Sequence, residues 1–235
     1  LLIDMDPQAS LTVSMPADIG HTCPKMDGSV KAARAADYLT GRDPIRSAII
    51  AGKGSPDFLP ADESLTLLQD HSAMDKTPQR YLMLKKAIEP VKKHYEYIII
   101  DTPPALSMLT LNALQACTGV IIPSKPDIYG LHGLAEVIKT IEAVRLNGNP
   151  RLRIDGILLQ MMNSRATFYN DMRVQFNIIA EAFKTTVFNT TIRQSVTADE
   201  AIASHTTIRR LKPGSPLAAD YTAWLNEYEE ERKNG

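Results

Sequence analysis

The sequence offers almost no sulfur chemistry. Cys23 and Cys117 are its two cysteines, and they match no metal-ligand spacing, so neither a disulfide framework nor a cysteine-built metal site is expected. Each reads as a buried or incidental thiol, which fits a reducing cytoplasm. No run approaches the roughly twenty apolar residues that a membrane-spanning helix needs, and no secretory signal pattern opens the sequence. Internal repeats and low-complexity tracts are absent as well. Charge of one sign is not in excess either: 26 Lys and Arg stand against 27 Asp and Glu, a net charge of −1. That excludes a chain that is basic throughout but leaves room for a local basic patch, so nucleic-acid binding has to be argued from position. A soluble protein is expected.

What is present is a chain of 235 residues, 44% hydrophobic and 23% charged, enough to bury one substantial core, with residues 1–235 expected to form a single domain. Its centre is the stretch from Tyr95 to Pro104, where the apolar run Ile98-Ile99-Ile100 delivers Asp101 and then stops at Thr102-Pro103-Pro104. A short uninterrupted apolar run between breakers reads as a strand covered on both faces in a parallel sheet. Ligands in such sheets bind beyond the carboxyl ends of the strands, where Asp101 sits. The prolines cannot continue a ladder, so the chain must turn over whatever Asp101 holds. Asp101 has a second reading, as the cap of a helix beginning near Leu106.

A second copy of the pattern bears on that choice. Leu1-Leu2-Ile3-Asp4-Met5-Asp6-Pro7-Gln8 is again an apolar strand ending in carboxylates and a proline. Two strands bringing Asp to one sheet edge make a small acidic cluster, whose hard oxygens suit Mg²⁺ carried by a nucleotide phosphate.

Along the chain, a helix is predicted from Val30 to Leu39 ending at Gly41, a short strand at Phe58-Leu59-Pro60-Ala61, and a helix-forming segment from Leu65. Tyr81, Leu84, Ala87, Ile88 and Val91 recur at helical spacing within Pro78 to His94, with Pro90 kinking or ending that helix and Lys85, Lys86, Lys92 and Lys93 on a solvated face. Further expected elements are a helix from Leu106 to Ala116 packed through Leu109, Leu111 and Leu114, a strand from Thr118 to Ile122 ended by Pro123, and an amphipathic helix over Leu131 to Val144. A strand from Ile154 to Met162, a helix around Phe176 to Phe183 and a last strand around Thr186 to Ile192 follow. The C-terminal helix from Leu217 to Arg232 places Leu217, Tyr221, Trp224, Leu225 and Tyr228 on one face. Strand and helix alternate through most of the chain, which predicts an α/β fold with a mostly parallel sheet and helices on both faces. Asn163 follows a strand at the ligand edge, where an amide can read an adenine or simply form a turn.

"LLIDMDPQASLT", then "YEYIIIDTPPALSMLTLNAL" and "GVIIPSKPDIYGLHGL", resemble the ParA/Soj family of deviant-Walker P-loop ATPases, which carry the AAA domain and segregate plasmids and chromosomes. The resemblance runs from Leu1 to about Tyr221. In that family a Gly-rich, Lys-containing phosphate loop precedes the first of these strands. No G-x-x-x-x-G-K-[ST] pattern occurs in residues 1–235, and Gly52-Lys53-Gly54-Ser55 lacks its spacing. With no initiator Met, the chain reads as a family member truncated at its N-terminus, without a first strand that would otherwise lie in mid-sheet and close its apolar edges.

The resemblance implies an ATPase that sandwiches ATP and Mg²⁺ between two subunits as a nucleotide-dependent homodimer. It then binds nonspecific DNA and is released when a ParB-like centromere-binding protein triggers hydrolysis, in a bacterial cytoplasm at the nucleoid. It assigns Asp101 to Mg²⁺ through water, Asp6 to the metal site and to the attacking water, and Gln8 and the Thr102–Ala105 turn to sensing the γ-phosphate. Ser10 and Thr12 fall in the same switch, beside phosphate or as turn formers. Arg165 matches a DNA-contacting arginine; a second such arginine falls on Thr197, and a base-lining proline on Arg193, which places Arg193 at the nucleotide. Arg193, Arg209, Arg210 and Lys212 are candidates for a shifted basic patch.

Two other functions stand beside the partition ATPase: a degenerate, non-catalytic ParA-like module that binds DNA or protein, and a MinD-like positioning ATPase for another cargo. Glu227, Glu229, Glu230 and Glu231 would be repelled by anionic lipid, so no membrane partner is expected. Met108 stands near where nitrogenase-reductase relatives place a cluster cysteine, and no iron-sulfur cluster is expected.

Overall fold

The structure is a computed structural model, and it describes residues 1–15, 35–69, 78–162 and 167–234. Two compact units divide the chain: residues 1–117 with 147–149, and residues 118–146 with 150–235.

In the first unit, β1 (Leu2–Asp4) leads into the short helix α1 (Ser10–Ser14), and α2 (Ala35–Thr40) and α3 (Ile45–Ala48) follow. Next come β2 (Phe58–Leu59), a 3₁₀ turn at Glu63–Leu68, a second at Pro78–Leu82, α4 (Met83–Ile88), a third 3₁₀ turn at Lys92–His94, β3 (Ile99–Asp101) and α5 (Met108–Ala116). β1 lies between β2 and β3, parallel to both. Ile3, Met5, Leu59, Leu65, Leu84 and Leu109 are fully buried in one core with Ala9 and Tyr38. Leu1, Ile3 and Met5 share one buried face of β1, and the register is fixed because a slip of one residue would put the Asp4 carboxylate into that apolar core.

The second unit contains β4 (Gly119–Ser124), α6 (Ile128–Asn147), β5 (Arg153–Met162), α7 (Thr167–Ala182), β6 (Ile192–Arg193), α8 (Val196–Ala203), α9 (Ile208–Leu211) and α10 (Pro216–Asn234). Its sheet runs β4-β5-β6, again parallel, with α6 buried through Leu134, Ile138, Ile141 and Val144. Phe188, Leu158, Ile192 and Leu217 make a small core, and Trp224 and Tyr228 of α10 pack their rings against Phe188 at centroid distances of 6.0 and 6.3 Å. All the named ladders are parallel and flanked by helices, the α/β class that the alternation of strand and helix predicts.

Several local expectations need correction. β3 is not covered on both faces: Ile99 is 60% exposed, and among the described residues β3 pairs with β1 alone. Pro123 does not end β4, which continues to Ser124; among the described residues β4 pairs with β5 alone, and an edge tolerates a residue without an N–H. Within Pro78 to His94 the α-helix is shorter than the apolar spacing suggests, Met83–Ile88 with a 3₁₀ turn on either side, and it ends just before Pro90, as expected of that residue. The last strand shrinks to β6 plus an isolated bridge between Val187 and Ile157. On α10, Leu217 is buried and Trp224 and Tyr228 pack inward, but Leu225 is 46% exposed and Tyr221 also faces solvent. Leu111 is only half-buried on α5, whose core face instead includes the buried amide Asn112. Cys117 is half-buried at the end of that helix, and Cys23 lies outside the described residues.

Candidate functional site

The site is built on the carboxyl ends of β1 and β3. Parallel pairing puts Asp4 directly opposite Asp101, and the Met5 N–H donates to the Asp101 carbonyl at 2.9 Å, continuing the ladder one step past the strand. Asp4, Asp6 and Asp101 therefore gather at one sheet edge, as the repeated strand-carboxylate pattern predicts.

The turn carrying Asp6 is hydrogen-bonded throughout. The Asp6 carboxylate accepts from the Gln8 N–H at 2.9 Å, and the Asp6 carbonyl accepts from the Ala9 N–H at 2.8 Å. Ala9 closes the turn in the left-handed region, with φ of 55°, and precedes α1 with no side chain capping it. A helix that starts so has orphan N–H groups. Asp4 supplies the missing acceptor from a distance: its Oδ2 takes the Thr12 N–H at 2.9 Å and the Thr12 hydroxyl at 2.7 Å, while its Oδ1 takes the Asp6 N–H at 2.9 Å. Asp4 is wholly buried, so its charge is held by these three donors and leaves little acceptor capacity for a ligand.

Asp101 differs. Its carboxyl is held above the usual carboxylate range by desolvation and by the negative charges of Asp4 and Asp6, against the Thr102 N–H, which favours the anion. An electron-rich carboxylate beside two others is what a divalent cation would relieve. Among the described residues no group of three or more His, Cys, Asp or Glu side chains could hold a metal unaided. Mg²⁺ takes one or two carboxylates and completes its octahedron with phosphate and water, and Asp101 and Asp6 are the residues here that could hold it. The cap of α5 is Ser107, whose hydroxyl accepts from the Thr110 N–H at 3.4 Å, so Asp101 is not needed as a helix cap. The Thr110 hydroxyl also donates to the Ala105 carbonyl at 2.7 Å, pinning the end of the Thr102–Ala105 turn.

Asp6, Gln8 and Asp101 are thus brought together in the first unit. Asn163 and Arg165 lie outside the described residues. Arg193 belongs to the second unit, where its guanidinium makes a two-point contact with Asp220 at 2.6 and 2.7 Å and its N–H donates to the same carboxylate. Lys212 is likewise paired with Glu200, so two of the four cations of the expected basic patch are already engaged by carboxylates. Thr197 is buried. Sequence reasoning missed Asp4 as the organiser of the turn. No local sequence signal pointed to it, because the helix that starts uncapped after Ala9 and needs an acceptor from elsewhere is itself seen only in the structure.

A family model described as an AAA domain matches residues 1–154. The chain is 32% identical over 227 residues to the chromosome-partitioning ATPase Soj of Thermus thermophilus, covering 97% of this chain and 82% of that protein. Among solved structures, a putative plasmid partition protein from Borrelia burgdorferi bound to AMPPNP superposes with a TM-score of 0.74 at 22% identity, covering 98% of this chain and 86% of that one. A protein from Mycobacterium smegmatis named cobyrinic acid a,c-diamide synthase, with bound ADP and magnesium, gives a TM-score of 0.68 at 27% identity over 92% of this chain and 84% of that one. With the paired strand-carboxylate motifs meeting at one sheet edge, and a relative this similar along almost the whole chain, the protein belongs to the ParA/Soj family of ATPases.

Proposed function

We propose that the protein is the ATPase of a DNA-partition system, with residues 1–235 serving as its ATPase domain. The observation that carries this reading is the register of Asp4 against Asp101, which sets a metal-seeking carboxylate beside the hydrogen-bonded turn of Asp6 and Gln8. The related Soj protein is named a chromosome-partitioning ATPase, and similar chains have been crystallised with ADP and magnesium or with AMPPNP, which supports ATP and Mg²⁺ as the ligands. Asp101 then holds Mg²⁺ through water, Asp6 orients the attacking water, and Gln8 and the Thr102–Ala105 turn respond to the γ-phosphate. Asn163 and Arg193 serve the nucleotide base. ATP binding drives formation of a homodimer, the dimer grips nonspecific DNA through phosphate contacts that include Arg165, and a ParB-like partner accelerates hydrolysis and release at the nucleoid.

The test is DNA binding by the full gene product with ATP, with ADP and without nucleotide, over a range of salt. Binding that requires ATP and weakens linearly in log salt supports the reading, since each phosphate contact releases condensed counterion. Binding indifferent to nucleotide favours a non-catalytic module, and ATP turnover with no DNA affinity favours a positioning ATPase for another cargo.

A further inference from the structure

Thr12 has a fully committed side chain. It is buried, its hydroxyl donates to Asp4 Oδ2 at 2.7 Å, and its own Oγ1 accepts the Ala61 N–H at 3.0 Å. Its own N–H also reaches Asp4 Oδ2, at 2.9 Å. The other oxygen of that carboxylate holds the Asp6 N–H at 2.9 Å. The hydroxyl is therefore one of three donors that orient the carboxylate on which the Asp6 turn hangs, and the one that also joins that turn to the segment leaving β2.

The segment leaving β2 is itself tied down. Asp62, next to Ala61, accepts from the Ser64 N–H at 2.7 Å and from the Ala35 N–H at 3.0 Å, the Ser64 hydroxyl accepts from the Ala36 N–H at 3.0 Å, and the Tyr38 hydroxyl donates to the Pro60 carbonyl at 2.9 Å. The bonds run from Asp6 through Asp4 and Thr12 to Ala61, and from its neighbours Pro60 and Asp62 to the first turns of α2. Every link is buried or half-buried, where water competes less with a hydrogen bond than at the surface.

We propose that Thr12 is the positioning residue of the Asp6 turn: its hydroxyl locks the Asp4 carboxylate, and through it Asp6, onto the Pro60–Ser64 segment and α2. This inference rests on the proposed ATPase function for its kinetic consequence but not for its structural one. Val keeps the shape of Thr and lacks the hydroxyl, so Thr12→Val removes the lock without opening a cavity, whereas Thr12→Ser retains it.

Amide hydrogen exchange and ATP turnover of the full gene product test this together. The expected results for Thr12→Val are faster exchange at the Asp6 and Ala61 amides, unchanged exchange at Ile99 and Leu109, a kcat lowered about tenfold to a hundredfold, as small displacements of reacting groups produce, and a KM for ATP close to that of the native protein. Thr12→Ser restores both exchange and turnover. Asp4→Asn, which preserves side-chain size, loses protection at Asp6 or Thr12 and serves if the Val variant does not fold. Native exchange at Asp6 in a folded Thr12→Val overturns the proposal, as does native exchange there in Asp4→Asn where the Val variant does not fold, or a Ser variant no better than Val. A native protein that does not turn over ATP removes the ATPase reading alone, and the exchange at Asp6 still decides the role of Thr12.

Discussion

Asp101 carries its charge into a place that already holds two others. Its proton affinity is raised by desolvation and by Asp4 and Asp6, so the folded chain binds that proton more tightly than the unfolded chain does. The sign follows: as pH rises through the ordinary carboxylate pKa of about 4 toward the raised folded value, stability is lost, and the deficit persists above it. Asp101→Asn removes the charge and is expected to be more stable than the native protein at pH 7, with the difference shrinking toward pH 4. Urea denaturation of both proteins over that range measures it, and an Asn variant less stable at pH 7 contradicts the account. At this scale Asp6 and Asp101 were legible, because an apolar strand ending in a carboxylate is a local pattern. The lock made by Asp4 and Thr12 was not. Thr12 and Ala61 lie far apart in sequence, and only the pairing of β1 with β2 brings their segments together.

At the scale of elements, β5 shows how one glycine admits a core ring. Val120 pairs with Ile154 and Ile121 with Gly156, so Asp155 is an extra residue bulged out of the ladder. A Cβ on Gly119 would fall 2.1 Å from the Asp155 carboxylate, and one on Gly156 would fall 2.5 Å from the buried ring of Phe188. Gly156→Ala must push that ring, and with it Trp224 and Tyr228, out of place. The expected cost is about 1–3 kcal/mol, the range for overpacking a tight core. Denaturant unfolding measures it, and a neutral effect would mean that the Phe188 cluster is loose. Long amphipathic helices were readable: the periodicity of Leu131 to Val144 found α6, and Leu109 and Leu114 found the core face of α5. Short elements were readable only where a breaker or carboxylate marked them, as at β1, β2 and β3; α9 has four residues, too few for any period to register, and edge placement rather than propensity decided that Pro123 stays within β4.

For the molecule as a whole, the class of fold was legible because strand and helix alternate, and the family because two specific motifs recur together at the ends of paired strands. The exposed edge strand β3 was not foreseen from its apolar run, since composition reports what a residue prefers and not which neighbours it meets. Among the described residues no helix is long and apolar enough to cross a membrane. Net charge is close to neutral, so the proposed affinity for DNA must come from placed cations and not from the field of the whole chain. What unites these levels is a pair of carboxylates, one already bonded to protein donors and the other raised in proton affinity, beside the hydrogen-bonded turn of Asp6 and Gln8.

The most direct measurement is Mg²⁺-dependent ATP binding and turnover by the full gene product, side by side with Asp6→Ala. The account predicts slow turnover that requires Mg²⁺, and a variant that still binds ATP but no longer hydrolyses it. Turnover unchanged in Asp6→Ala would remove Asp6 from the chemistry, and failure of the native protein to bind ATP with Mg²⁺ would contradict the partition-ATPase function itself.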